Sequence, residues 1–293
     1  MNEEQASYAG VEPGLSVVVP ALNEEQAIGA TLDALNAFAA KAGIPVEIVV
    51  VDDGSTDRTA AIASEHGAIV VRHPHRGGYG RALKTGIMRA QYEMIGLIDA
   101  DGTYPVSEFP ALLALARTND MVVGARTGAR YRRSLFRSPI RSAFLMLANF
   151  VTGKRIPDPN SGMRILKRSQ AVPLFSQLPK GFSFTTTITM ILTLEGYFVH
   201  YHPIAYGERV GTSKIRFLPD TLRLAQTLLE VTLRHNPLKA FLLVAMLPAL
   251  MGLGCLALDP SGGWEQASRY LIAALMVFTV GMAAVVLRKG NPL

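Results

Sequence analysis

Asp99-Ala100-Asp101 places two carboxylates one residue apart, directly after the apolar run Met94-Ile95-Gly96-Leu97-Ile98. Acids are rarely buried unless they are paired or hold a metal. Two of them leaving a buried strand are placed to hold a hard cation. Mg²⁺ or Mn²⁺ suits such oxygen ligands, and Mg²⁺ commonly binds one or two carboxylates plus substrate phosphates. The expected chemistry is therefore a metal–diphosphate site with Asp99 and Asp101 as ligands. An Asp-x-Asp on a solvated turn would do none of this, so the pair gains weight only from the residues around it.

Two further polar clusters follow apolar runs. Pro20-Ala21-Leu22-Asn23-Glu24 comes after Leu15–Val19, and Asp52-Asp53-Gly54-Ser55-Thr56-Asp57 comes after Val46–Val51. Asp57 or Ser55 is expected to cap the next helix. The acids at the strand end are not needed for that, and can accept hydrogen bonds from a ribose hydroxyl or a base N–H. Gly77-Gly78-Tyr79-Gly80 lacks the spacing of a dinucleotide-binding loop, and Leu83-Lys84-Thr85 lacks the glycine of a P-loop. This segment reads as a tight turn, with the Tyr79 helix N-terminus or Lys84 near a phosphate.

The opposite charge is also grouped. From Met121 to Pro157 there is no acid, while Arg126, Arg130, Arg132, Arg133, Arg137, Arg141, Lys154 and Arg155 lie within it. Arg209 and Lys214 form a second cationic pair further on. The planar guanidinium fork suits phosphate. A solvated basic face is the ordinary alternative for such a run.

The elements that carry these residues alternate. Strands are expected at Leu15–Val19, Val46–Val51, Ala68–Val71, Met94–Ile98 and Met121–Val123, with helices over Glu24–Ala42, from about Thr56 to His66, and over Tyr79–Ala90. This order predicts an α/β fold with a mainly parallel sheet covered on both faces. Ligands of such sheets bind beyond the carboxyl ends of the strands, where all three acid-bearing loops fall.

The 293 residues are 49% hydrophobic and 18% charged, with net charge +6. The basic residues are not interleaved with aromatics and no nucleic-acid motif occurs, which argues against nucleic acid as partner. The acidic N-terminus does not read as a secretory signal. Cys255 is the only cysteine, and the six histidines show no ligand-like spacing, so they are expected mostly at the surface. Ala240–Leu258 and Tyr270–Leu287 contain no charge. At about 1.5 Å per residue each can cross most of a bilayer core of about 30 Å. Arg234, Lys239, Arg288 and Lys289 flank the pair, while the connector 259–269 holds only Arg269 among basic residues. That asymmetry predicts an integral membrane protein with both ends of the hairpin in the cytoplasm. The expected organisation is a cytoplasmic catalytic domain over 1–218, a juxtamembrane amphipathic helix over 219–237, and a two-helix hairpin over 238–293. The helix could equally lie on the membrane surface or on the globular domain.

Together these stretches resemble glycosyltransferase family 2, especially its polyprenyl-phosphate glycosyltransferases, the group of dolichol-phosphate mannose synthase. The matching segments are Val18–Glu24, Val51–Asp57, Asp99–Asp101, Gly124–Arg126, Asp158-Pro159-Asn160-Ser161-Gly162-Met163-Arg164 and Arg209–Lys214. The resemblance implies a GT-A, Rossmann-like domain using a UDP- or GDP-linked sugar, a divalent cation and a polyprenyl (undecaprenyl or dolichyl) phosphate, with inversion at the anomeric carbon. It implies that Pro20, Leu22, Glu24, Val51 and Asp53 line the nucleoside pocket, and that Asp99, Ala100 and Asp101 meet the diphosphate and metal. Arg126, Arg209 and Lys214 would contact phosphates, with Arg126, Arg137 and Arg141 on the acceptor. A homo-oligomer is compatible with it. Leu22 stands where relatives often have an aromatic, and Gly102-Thr103 where Leu-Gln is common. Two alternatives stay open at this point: transfer to a non-lipid acceptor, and a silent nucleotide-sugar-binding membrane scaffold.

Overall fold

The computed structural model describes residues 14–127, 139–207 and 217–290. Arg137, Arg209 and Lys214 lie outside them, and Arg141 is described only as backbone in a helix. A seven-stranded sheet forms the centre, in the order β3-β2-β1-β4-β6-β5-β7. The strands are β1 (Leu15–Ala21), β2 (Val46–Asp52), β3 (Ile69–Arg72), β4 (Met94–Leu97), β5 (Met121–Thr127), β6 (Arg164–Lys167) and β7 (Val199–Ala205). All pairings are parallel except those of β6, which runs antiparallel to both β4 and β5.

Alternation along the central strands decides which helices they face. Val18, Val49 and Val51 pack on one side with Leu83 and Ile87 of α3 (Tyr79–Arg89) and with Phe184 and Ile188 of α6 (Phe184–Leu194). Val17, Val19 and Val50 pack on the other with Ile28, Leu32 and Leu35 of α1 (Ile28–Ala39) and Phe109 and Leu112 of α4 (Phe109–Ala116). A strand buried on both faces reads as a continuous apolar run, which is how β1 and β2 appear in the sequence. Between them, α2 (Thr59–Glu65) follows β2, and α5 (Pro139–Thr152) precedes the loop that returns to β6.

Helix α1 starts four residues later than its apolar spacing suggests. The Glu24 and Glu25 amides are taken by Thr59 Oγ1 (2.8 Å) and the Asp57 carboxylate (3.2 Å), which fastens this segment to the loop after β2.

The last three helices are α7 (Phe217–His235), α8 (Pro237–Leu258) and α9 (Trp264–Gly290). Helix α7 packs on the globular domain, burying Leu228, Val231 and Thr232 and leaving Leu229 and Leu233 exposed. Helices α8 and α9 form a hairpin in which only 11% of each apolar window is buried. By length and composition both can cross a membrane. The connector is shorter than expected because Glu265 and Arg269 continue the helix, joined at 2.6 Å one turn apart. Lys239, at the start of α8, donates to the carbonyls of Phe150 (2.6 Å) and Val151 (3.1 Å) at the end of α5. A cation there satisfies carbonyls that a helix end leaves open.

Candidate active site

The loops after β1 and β2 are laced together before they reach any ligand. Asn23, held at positive φ (51°), accepts the Thr56 amide at 2.8 Å, and its own amide donates to Ser55 Oγ at 2.9 Å. Asp57, one residue before the Arg58 cap of the next helix, accepts the Thr59 amide at 3.0 Å, and no side chain caps that helix. Asp52 is fully buried and accepts from the Ser55 amide (2.9 Å) and Arg72 Nε (3.3 Å), so it organises the turn.

Asp53 does a related task one layer higher. Its carboxylate accepts the amides of Gly77 and Gly78, both at 2.8 Å, and lies 2.7 Å from His73 Nδ1. His73 Nε2 in turn meets Thr85 Oγ1 at 2.9 Å, so this histidine is an interior residue and not a surface one. Two glycines of this turn, Gly78 and Gly80, are required by close approach. A Cβ on Gly78 (φ 101°) would sit 2.7 Å from the Lys180 carbonyl, and one on Gly80 2.4 Å from that of Pro179. The glycine-rich turn is thus a packing surface for the loop 179–183.

The Asp-x-Asp pair faces the same space. The Tyr79 hydroxyl donates to Asp99 Oδ1 at 2.8 Å, and the Tyr79 ring stacks on Phe182 with centroids 5.5 Å apart. Burial, and then the Asp99 charge, push the Tyr79 hydroxyl well above the ordinary tyrosine range, so it stays a donor. Asp101 Oδ1 accepts the Thr103 amide (3.1 Å) and hydroxyl (2.6 Å). Gly162 lies against Asp99: a Cβ there would fall 2.6 Å from Oδ2. Beneath, the fully buried Arg164 donates to the carbonyls of Ser161 and Thr185 and to Thr189 Oγ1, fixing the chain on either side of Gly162.

These pieces line a cleft of about 590 Å³, open mouth included. Pro20, Leu22 and Glu24 line it from β1, Asp53 from β2, and Asp99, Ala100 and Asp101 from β4. Arg76, Tyr79, Ala82 and Phe182 complete it. Among the described residues, the sheet's carboxyl edge therefore brings together every expected donor-site residue except two. Val51 points into the core with no exposure, because strand alternation turns it toward α3. Lys84 is directed elsewhere: its ammonium caps the carbonyls of Phe175 (2.7 Å) and Leu178 (2.5 Å), a tie that anchors the 175–178 segment and not a phosphate.

Arg126 also differs from expectation. Its Nε and terminal nitrogen meet the two oxygens of Asp158 at 2.7 and 2.8 Å, and its guanidinium covers the Tyr206 ring. Asp158 is 1% exposed. This buried pair joins β5 to the Asp158–Arg164 segment, and Arg126 does not line the cleft. Tyr79, Arg76 and Phe182 are the cleft residues that motif spacing does not single out. The signal for Tyr79 was its place inside the glycine turn.

Asp99 and Asp101 fit a divalent cation by donor chemistry, two oxygen ligands at a cleft edge with room for a diphosphate. No group of three or more His, Cys, Asp or Glu side chains suited to a metal occurs among the described residues. A cation held here would therefore need oxygen from substrate, the usual arrangement for Mg²⁺.

Residues 16–172 match the family described as glycosyl transferase family 2. The chain belongs to that family. Its fold is the GT-A fold. Among curated family 2 relatives, a low-salt glycan biosynthesis hexosyltransferase, Agl6, from Haloferax volcanii is 33% identical over 73% of this chain and 52% of its own length. The chain thus spans about half of that relative. A dolichyl-phosphate hexose transferase from the same organism is 30% identical, over 76% of this chain and 95% of its own. An undecaprenyl-phosphate 4-deoxy-4-formamido-L-arabinose transferase from Pectobacterium atrosepticum is 29% identical over 81% and 73%. These relatives support placement in the polyprenyl-phosphate group of family 2. Among solved structures, glucosyl-3-phosphoglycerate synthase from Mycobacterium tuberculosis, in complex with Mn²⁺, UDP-glucose and phosphoglyceric acid, superposes with a TM-score of 0.58 at 25% identity, covering 78% of this chain and 82% of that one.

Proposed function

We propose that this family 2 enzyme moves a sugar from a nucleotide-sugar to a polyprenyl phosphate at a membrane surface. The observation that carries the reading is the junction of the acidic cleft to an apolar hairpin: the domain holding Asp53, Asp99 and Asp101 is tied through Lys239 to a helix pair long and apolar enough to cross a membrane. Relatives named for dolichyl- and undecaprenyl-phosphate transfer support the lipid acceptor.

In this reading Pro20, Leu22, Glu24 and Asp53 receive the nucleoside. Asp99 and Asp101 hold a divalent cation, which when bound neutralises the diphosphate and makes it a better leaving group. The acceptor phosphate is already ionised at neutral pH, so no strong general base is required. One of its oxygens attacks the anomeric carbon, the bond to the nucleotide diphosphate breaks, and a single displacement inverts the centre. Arg209 and Lys214 are assigned to the departing diphosphate, and Arg137 and Arg141 to the acceptor. Arg126 is assigned to holding Asp158. The positive-inside pattern supports a cytoplasmic catalytic domain.

The test is purified protein with radiolabelled UDP- or GDP-sugars, undecaprenyl or dolichyl phosphate, and Mg²⁺ or Mn²⁺. Label entering an organic-extractable lipid is expected. Asp101→Ala should abolish metal-dependent transfer, a loss of about 100-fold or more, with membrane insertion intact; full activity in that variant would remove the metal assignment. Transfer only to 3-phosphoglycerate, the acceptor class in the structural relative, would replace the lipid reading. Donor binding without transfer to either would favour a scaffold.

A further inference from the structure

Phe182 borders two separate cavities. On one side its ring closes the cleft that holds Asp99 and Asp101. On the other it lines a groove against α7, facing Gln226, Thr227 and Glu230. A second hollow, which shares Thr227 and Glu230 with that groove, extends past Gln177 to Arg234 in the last turn of α7. From Thr227 to Arg234 is about 10 Å at the helical rise, and the membrane-length helix α8 begins three residues later, at Pro237. The two hollows lie side by side along α7, one against the Phe182 ring and the other toward the end of the helix that precedes α8.

The ring is held firmly in that position. It stacks on Tyr79 with an interplanar angle of 16°. Its loop is pinned from behind: the Arg81 amide donates to the Lys180 carbonyl at 3.1 Å, and Lys84 caps Phe175 and Leu178. Gly78 and Gly80 allow the loop to lie directly on the start of α3. This fixed apolar ring is a wall common to the acidic cleft and the groove against α7.

We propose that Phe182 is the partition between donor cleft and membrane-side groove, and that it decides whether an acceptor phosphate or water reaches the bound sugar. The inference rests on the function proposed above. In transfer, a phosphate oxygen from the groove forms the new bond to the anomeric carbon as the nucleotide diphosphate leaves with the bonding electrons. In the side reaction the oxygen comes from water, the same bond breaks, the water's second proton passes to solvent, and free sugar results. Closing a site against water is a general means of suppressing such hydrolysis.

The experiment uses the full-length protein in lipid nanodiscs with Mn²⁺, undecaprenyl phosphate, and UDP-glucose and GDP-mannose as donors. Free sugar and lipid-linked sugar are counted separately, and UDP and GDP affinities are measured by calorimetry. Phe182→Ala is expected to raise the ratio of free to lipid-linked sugar about tenfold or more, read at donor concentrations set from the measured affinities to saturate each variant. Phe182→Trp, which keeps an apolar ring, should hold the ratio near the wild-type value. An unchanged ratio in Phe182→Ala, with nucleotide still bound, overturns the proposal. Should Phe182→Ala fail to bind nucleotide, Phe182→Leu is read in its place. If the wild type labels no lipid, the proposed function fails on its own. The partition is then judged without acceptor, where Phe182→Ala should release free sugar about tenfold faster and equal rates would overturn it.

Discussion

Tyr79 shows how a residue outside the obvious motif can set one inside it. Its hydroxyl donates to Asp99 at 2.8 Å, and burial keeps that proton in place. A hydrogen bond to a charged group contributes about 1.5–3 kcal/mol. Tyr79→Phe keeps the ring and its stack on Phe182 but leaves Asp99 without this donor. Mn²⁺ binding, followed by calorimetry or by electron paramagnetic resonance, should weaken about tenfold, and kcat should fall with little change in nucleotide affinity; Mn²⁺ binding equal to wild type would show that Tyr79 does not orient Asp99. Arg126 illustrates the reverse case, a residue whose type suggested phosphate and whose surroundings give it a carboxylate. Removing one member of a buried ion pair costs about 3–5 kcal/mol. Arg126→Ala should accordingly lower the unfolding midpoint in denaturant, and Asp158→Asn in the same chain should recover part of that loss. If stability is unchanged, the pair carries no structural weight. The acids at the strand ends were legible because a carboxylate after an apolar run has few reasons to be there. The partners of Asp53, Lys84 and Arg126 were not, since each lies 20 or more residues away along the chain.

At the level of elements, the glycine-rich turn and the loop 179–183 form one unit. The sequence showed that Gly77-Gly78-Tyr79-Gly80 was neither of two known phosphate-binding loops, but it could not show what lay against it. That contact spans about a hundred residues of chain and depends on how α3 and α6 pack on the same face of the sheet. Gly80→Ala tests it. The new methyl would fall 2.4 Å from the Pro179 carbonyl and 2.9 Å from that of Gly181, both backbone atoms with little freedom to move. Overpacking of this kind costs about 1–3 kcal/mol. The expected result is a lower thermal midpoint, together with faster hydrogen exchange at 179–183, because the loop is pushed off its seat and takes Phe182 with it. Exchange unchanged in that loop would mean that the contact is not what holds it. Helix periodicity located α1, α3 and α7 well. It set the start of α1 four residues early, because 24–27 form a separate turn on the Glu24 carbonyl, fastened to the loop after β2 by contacts that no local pattern records.

Across the whole molecule, the central strands of the sheet are buried on both faces and several tyrosines are enclosed with them. The parallel half of this sheet was readable from alternating strands and helices. The antiparallel return of β6 between β4 and β5 was not, because a four-residue strand carries no direction in its sequence. That return places Tyr79, Tyr104 and Tyr201 around the buried Arg164, whose charge acts on all three. Burial pushes the hydroxyl of Tyr201 up to about 12, and those of Tyr79 and Tyr104 are raised as well. A tyrosine raised in the folded state keeps its proton where the unfolded chain, with an ordinary value of about 10, gives it up. Its contribution is therefore complete below pH 10 and is lost as the pH rises through the folded value. Stability set by these groups should be flat from neutral pH to about 9 and then decline steadily. Denaturant unfolding followed between pH 8 and 11 measures this, with ultraviolet absorbance reporting tyrosinate. Tyr201→Phe should make the alkaline decline shallower, since a ring without a hydroxyl has no proton to lose in either state. A stability profile level to pH 11, or one that Tyr201→Phe leaves as steep as before, would show that these hydroxyls are open to solvent and that the interior around Arg164 is looser than its hydrogen bonds imply.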